Sequence, residues 1–274
     1  MLAKDFLNKS YLERQLIVFV GDDKNKNRNE NSDSSNSVFD GIISGIQSGI
    51  IISPFPFDLI ERALKIYWDS QKKGLNVNPI PYSWISAFNL PPGHPRENVL
   101  YAAHPTLAAC YVPVSDFHRF TFEHKFSEIL SILMHLGVKE ISVEHVEGWG
   151  KEFASKVSVG IPSVEVGIDG SQSTSKSEKA LYKAEFDGNV NPILPDNLIW
   201  YNHEPTWQSI VEGRTNFGLR NFSLQLIYHD DYGINSGLKA KAEKIGLDLA
   251  GNFEKHESTT WSITGTFLKL PSKV

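Results

Sequence analysis

Apolar and polar residues alternate through residues 151–186, a pattern that predicts β-strands with one buried face. The apolar side chains occupy odd positions before Pro162 and even positions after it, so the phase of the alternation changes once. A polar segment at 169–177 is followed by a further alternating run at 180–186. The pattern predicts a bent, half-exposed hairpin with a flexible polar tip.

Other apolar runs predict strands in both halves of the chain. The continuous run at 16–20 predicts a strand buried on both faces, whereas the alternation at 222–228 predicts a strand with one exposed face. Residues 247–253 and 261–267 share one apolar phase and predict a hairpin. Three more strands are expected, at 99–103, 107–114 and 139–146.

Helical spacing of apolar residues predicts a few helices beside these strands. They are expected at about 3–13, 58–73 and 116–136, with a short fourth helix at 237–244. Ser115 is the predicted N-cap of the long helix, and the prolines of 78–96 predict an irregular connection. Antiparallel strands with flanking helices indicate an α+β fold, built mainly on a twisted antiparallel β-sheet.

The length and composition of the chain favour one large core. With 274 residues and a hydrophobic content of 41%, a single α+β domain is expected over 1–274. Its N-terminal half, 1–148, is richer in predicted helix, and its C-terminal half, 149–274, is richer in predicted strand. Residues 22–37 are nearly all polar and cannot offset their ordering entropy by burial, so they predict a mobile loop.

The charges and the cysteine content narrow the partners and the compartment. The chain has 27 basic and 32 acidic residues without a basic stripe, which argues against nucleic-acid binding. Cys110 is the single cysteine, so no intrachain disulfide is expected. The N-terminal residues lack the apolar core of a secretory signal, and no run of eighteen apolar residues occurs. These features predict a cytoplasmic protein.

Gly41, Gly45 and Gly49 recur every four residues, so in a helix they would share one face. Three interpretations remain for this segment: a helix packed closely on the sheet, a β segment of isoleucine and glycine, or an element exposed for oligomerisation. The buried helix is favoured, because short apolar runs are usually part of the core. In the third interpretation, the three glycines are the predicted assembly residues.

The candidates for catalysis lie close together in the sequence. They are His94, Arg96, His104, His118 and Glu123. Histidine and arginine on proline-rich loops suit the recognition of a phosphate or a carboxylate. If the five side chains converged, they would indicate a hydrolase or a nucleotide-handling enzyme. The simpler interpretation is that the prolines shape a turn in which Arg96 pairs with a surface acid such as Glu97, and that His118 forms a local hydrogen bond in the first turn of its helix.

Metal binding has weaker support in the sequence. His118 and His124 are the candidate ligands, but they stand six residues apart, whereas helical zinc pairs stand four apart on one face. His124 and Glu128 do stand four apart, and a surface pair is the simpler interpretation of that spacing. No metal ion and no cofactor are therefore expected.

Two hypotheses for function follow. The first is a non-enzymatic binding or assembly protein, with a protein partner or self-association, because no complete catalytic motif occurs and six Trp and sixteen Phe supply interface anchors. Within it, a membrane-acting effector is a minority interpretation of the alternation at 153–186, which membrane β-hairpins share. The alternative hypothesis is an enzyme that uses the cluster at 94–124.

Overall fold

The computed structural model describes residues 3–21, 57–150, 180–229, 232–251 and 258–270. Gly41, Gly45 and Gly49, the loop predicted at 22–37 and the strands predicted between 153 and 168 lie outside the described residues. Within the described ranges, helices accompany two four-stranded sheets that are mostly antiparallel, which confirms the α+β fold.

Helices and strands are interspersed along the described ranges. The helices are α1 (Ala3–Leu7), α2 (Tyr11–Arg14), α3 (Phe57–Lys72), α4 (Phe117–His135), α5 (Pro205–Phe217) and α6 (Ser236–Lys244). The strands are β1 (Leu16–Val20), β2 (Val77–Pro81), β3 (Leu100–Ala103), β4 (Tyr111–Pro113), β5 (Val138–Glu147), β6 (Ala180–Glu185), β7 (Asn221–Tyr228) and β8 (Thr259–Phe267). Short 3₁₀ helices cover Tyr82–Ala87, Val114–Asp116 and Tyr201–His203.

The chain forms two compact units, each made from two segments. The first unit contains Met1–Thr121 and Tyr232–Lys255, and the second contains Phe122–Asp231 and His256–Val274. Both units combine helices with one four-stranded sheet. The single domain expected over 1–274, with its helix-rich and strand-rich halves, stays a prediction.

The sheet of the first unit is buried on both faces. Its strand order is β2-β1-β3-β4, with β2 parallel to β1 and the other neighbours antiparallel. All five residues of β1 are buried, as its continuous apolar run predicts. Phe19 and Tyr101 belong to the core on one face, and Val18 and Phe117 belong to the core on the other.

Two predictions for the first unit differ from the structure in detail. The helix expected over 3–13 is divided into α1 and α2, because the Ser10 and Glu13 side chains form a capping box that starts a new helix. Residues 78–96 begin with strand β2, although it contains Pro79 and Pro81. This strand is one of the two outer strands of its sheet, where a residue without an N–H is tolerated.

The sheet of the second unit is buried on one face only. Its strand order is β6-β5-β8-β7, and all neighbours are antiparallel. Side chains of β7 alternate strictly between exposed and buried, which confirms the strand predicted there. Phe122 and Phe126 of α4 pack edge-on against Trp261 of β8, with ring centroids 4.7 and 5.2 Å apart.

The hairpin expected between 247–253 and 261–267 is wrong. Strand β8 pairs instead with β5 and β7 in the second unit. Leu247 and Leu249 are buried in the core of the first unit, where Asp248 forms an isolated bridge with Val99. The shared apolar phase of the two runs reflects burial in two separate cores, and burial alone does not specify which strands pair.

Candidate functional site

His94 and Arg96 are brought together around the hydroxyl of Tyr101. That oxygen accepts a hydrogen bond from the Arg96 main-chain N–H (2.8 Å) and lies 2.6 Å from Nδ1 of His94. Burial lowers the pKa of His94, and the positive charge of Arg96 lowers it further. Tyr101 is part of the core on one face of the first sheet, so this pair flanks a core residue.

His104 and His118 are buried and bind the main chain. Nδ1 of His104 accepts hydrogen bonds from the N–H groups of Thr106 and Leu107, both at 3.3 Å. Nε2 of His118 donates to the carbonyl oxygen of Ile234 at 2.5 Å. The contacts of His104 are local hydrogen bonds within a turn, whereas the partner of His118 lies 116 residues further along the chain.

Two of the catalytic candidates, His94 and His118, have their partners on opposite faces of the first sheet. Tyr101, the partner of His94, lies in the core on one face of the first sheet, whereas Ile234, the partner of His118, lies in the core on the other. Glu123 and His124 are half-buried and belong to the second unit. Among the described residues, no three His, Cys, Asp or Glu side chains are placed to hold a metal ion.

A buried carboxylate organises the polar contacts of the second unit. Glu128 of α4 accepts hydrogen bonds from three consecutive main-chain N–H groups, those of Ile199, Trp200 and Tyr201, each at 2.8 Å. Three converging N–H groups form the kind of nest that binds anions. In this protein the anion is the Glu128 carboxylate of the same chain. Its three hydrogen bonds hold the loop at 199–201 to helix α4.

Side chains on either side of this carboxylate complete what we call the Glu128 cluster, formed by His124, Lys125, Glu128, Trp200 and Glu204. Nδ1 of His124 accepts a hydrogen bond from the Trp200 indole N–H at 3.2 Å. The Lys125 ammonium pairs with Glu204, lies 5.7 Å from the centre of the Trp200 ring and donates to the carbonyl oxygen of Ile227 in β7 at 3.0 Å. The four-residue spacing of His124 and Glu128 predicts a pair on the protein surface. In the structure His124 is half-buried and Glu128 is buried.

The position of His124 predicts an acid-dependent loss of stability. Burial lowers its pKa from 6.5, and the Glu128 carboxylate opposes this effect. The folded state therefore favours the neutral ring, so the contribution of His124 is complete above about pH 6.5 and is lost as the pH falls below it. Urea unfolding at a series of pH values should show that His124→Gln weakens this dependence on acid.

His203 provides the matched control for this measurement, because it lies in the same unit and is exposed. His203→Gln should leave the acid dependence of the unfolding free energy as it is in the unchanged chain. If the unfolding free energy changes with pH equally steeply in His124→Gln and in the unchanged chain between pH 5 and 7, His124 does not cause the acid-dependent loss of stability.

Another buried charge in this unit, that of Arg214, has no signal in the local sequence pattern. Arg214 of α5 is fully buried and donates to the carbonyl oxygens of Leu136, Leu219 and Leu268 at 3.0, 3.1 and 2.7 Å. Burial lowers the pKa of its guanidinium, which also lies 4.9 Å from the centre of the Phe267 ring. Helix α5 itself is absent from the predicted elements, although Pro205 at its start and Gly218 after its end are typical signals.

Among the described residues, the less buried face of the second sheet carries a shallow depression. This depression of about 620 Å³ runs across the four strands of the sheet, with Ser142, Lys183, Thr264 and Thr266 among its lining residues.

Among the described helices, none combines the length and the hydropathy of a transmembrane span. A comparison with known proteins finds no family model, no curated protein and no solved structure that matches the chain.

Proposed function

We propose that this protein is a non-enzymatic assembly protein that associates with itself through the sheet of its second unit. The observation that supports this proposal is the nature of strand β7. It is one of the two outer strands of its sheet, and it is eight residues long. Its side chains alternate regularly between exposed and buried, and it contains no charged residue and no proline. Outer strands of this kind are templates for pairing with another chain.

The other outer strands of the two described sheets have features that block such pairing. Strand β2 contains Pro79 and Pro81, which cannot donate a main-chain hydrogen bond. Strand β4 has three residues, and the N–H of Tyr111 is bound by the carbonyl oxygen of Asn89. Strand β6 exposes Lys183 and Glu185. The contrast within one molecule makes β7 the edge best suited to receive a second strand.

The enzyme hypothesis has less support from the same structure. Ring nitrogens of His104 and His118 are bound to main-chain groups, and His94 is bound to a core tyrosine. A catalytic acid or base needs to reach a substrate at hydrogen-bond distance. We therefore assign structural roles to His94, His104 and His118, and we assign binding to strand β7.

Sedimentation velocity of the full chain over a wide range of concentrations tests the proposal. We expect the weight-average sedimentation coefficient to rise with concentration as the chain associates. Activity assays against phosphate and carboxylic esters should show no turnover above that of a His104→Ala, His118→Ala double variant. A monomer at every concentration, or turnover that the double variant loses, would contradict the proposal.

A further inference from the structure

We infer that two copies of this chain pair through β7, antiparallel and related by a two-fold axis at Ser223, so that the two sheets join into one of eight strands. The inference rests on the proposed function and specifies the surface that performs it. A pairing of this type is isologous, which means that the same strand supplies both sides of the interface.

The direction of the main-chain groups of β7 follows from two hydrogen bonds. The carbonyl oxygen of Arg220 accepts from the N–H of Phe267, so even-numbered residues direct their main-chain groups toward β8. The carbonyl oxygen of Ile227 accepts from Lys125 of α4, so odd-numbered residues direct theirs away from β8. Asn221, Ser223 and Gln225 therefore present their N–H and C=O groups at the outer edge.

Lys125 limits the part of this edge that is available. Its ammonium occupies the carbonyl oxygen of Ile227 and is itself buried and paired with Glu204. A second strand that extended past Ile227 would have to displace this contact. The available edge is consequently the stretch from Asn221 to Gln225, whose centre is Ser223.

Symmetric pairing about Ser223 matches every outward residue of this stretch with a suitable partner. Ser223 meets Ser223 of the second copy, and Asn221 meets Gln225 in both directions. Each of these three pairs exchanges two main-chain hydrogen bonds, as opposed residues do in antiparallel sheets. The facing side chains are two hydroxyls and two pairs of amides, which form hydrogen bonds across strands.

No like charges meet in this arrangement. The side chains of β7 are uncharged, and the nearest charged residue along the chain is Arg220. In the symmetric register, the two copies of Arg220 are six residues apart along the strand direction, or about 20 Å. At that distance, salt screens the repulsion between exposed charges. A second copy of this chain is therefore the partner whose chemistry fits the edge.

Charge substitutions at Ser223 test the two-fold pairing directly. Ser223 is exposed, so Ser223→Lys and Ser223→Glu should leave the fold intact, which circular dichroism can verify. Each variant alone places like charges in contact at the axis and should weaken self-association at least about tenfold. An equimolar mixture places opposite charges there and should associate as well as the unchanged chain does.

Thr264→Lys is the matched control, because Thr264 is exposed and lies directly opposite Ser223 on the neighbouring strand β8. It should leave self-association unchanged. Self-association that Ser223→Lys does not weaken, or a mixture that stays as weak as its components, would overturn the β7 pairing while leaving self-assembly through another surface in place. The absence of self-association in the unchanged chain would instead contradict the proposed function.

Amide hydrogen exchange provides a second readout without substitutions. In the monomer, the N–H groups of Asn221, Ser223 and Gln225 should exchange quickly, whereas those of Phe222 and Leu224 should be protected by β8. At concentrations where the chain associates, the three outward amides should slow markedly. If they exchange equally fast in the monomer and in the assembly, the edge is not the interface.

Discussion

Replacement of Arg214 by alanine is expected to lower the free energy of unfolding by about 3–5 kcal/mol. The guanidinium joins three separate parts of the second unit, since its carbonyl partners follow α4, precede β7 and follow β8. Alanine would leave these oxygens without their donor and would leave a cavity beside Phe267. Chemical denaturation of the full chain, monitored by circular dichroism, measures the effect.

Two further variants separate the causes of this loss. Arg214→Met keeps much of the side-chain volume but removes all donors, so it should recover only the part of the loss that is due to the cavity. Arg220→Ala changes an exposed arginine of the same unit and should alter the unfolding free energy by about 0.5 kcal/mol or less. An Arg214→Ala variant as stable as Arg220→Ala would show that the three hydrogen bonds contribute nothing.

Replacement of Glu128 by alanine is expected to have an effect of similar size, about 3–5 kcal/mol. The change removes the acceptor of three main-chain N–H groups, which are those of Ile199, Trp200 and Tyr201. The loop at 199–201 should then separate from α4. Amide exchange of these residues should accelerate together with the loss of stability.

Glu128→Gln refines the same measurement. Its amide keeps one acceptor oxygen, but its NH₂ group is a donor that faces other donors, so we expect stability between those of the unchanged chain and the alanine variant. Glu212→Ala, at an exposed position on α5, is the control and should cost about 0.5 kcal/mol or less. If the amides of 199–201 still exchange slowly in Glu128→Ala, Glu128 does not hold this loop to α4.

The elements that the sequence predicts well are those in which burial follows a simple local period. Strand β7 shows strict alternation, and β1 is apolar throughout, so each pattern corresponds directly to one or two buried faces. The long helix α4 is also evident from its apolar spacing. In contrast, α5 escapes prediction because the side that it buries includes Arg214, a residue that local pattern assigns to solvent.

The polar sites are harder to predict because their partners are remote in sequence. Glu128 binds N–H groups 71–73 residues further along the chain, and Lys125 binds a carbonyl oxygen 102 residues away. Almost every residue type has a main-chain N–H group. No sequence motif can therefore identify the loop at 199–201 as the partner of Glu128. The sequence can indicate that His124 and Glu128 share a helix face, and it cannot indicate what they bind.

The prolines of β2 have a consequence for the size of any complex. Of the four outer strands in the described sheets, β2 and β4 are closed by prolines and by Asn89, and β6 by charged side chains. A pair formed through β7 uses the open strand of both members at once. The complex then has no end from which to grow, so higher concentration should produce more pairs, and not longer fibrils.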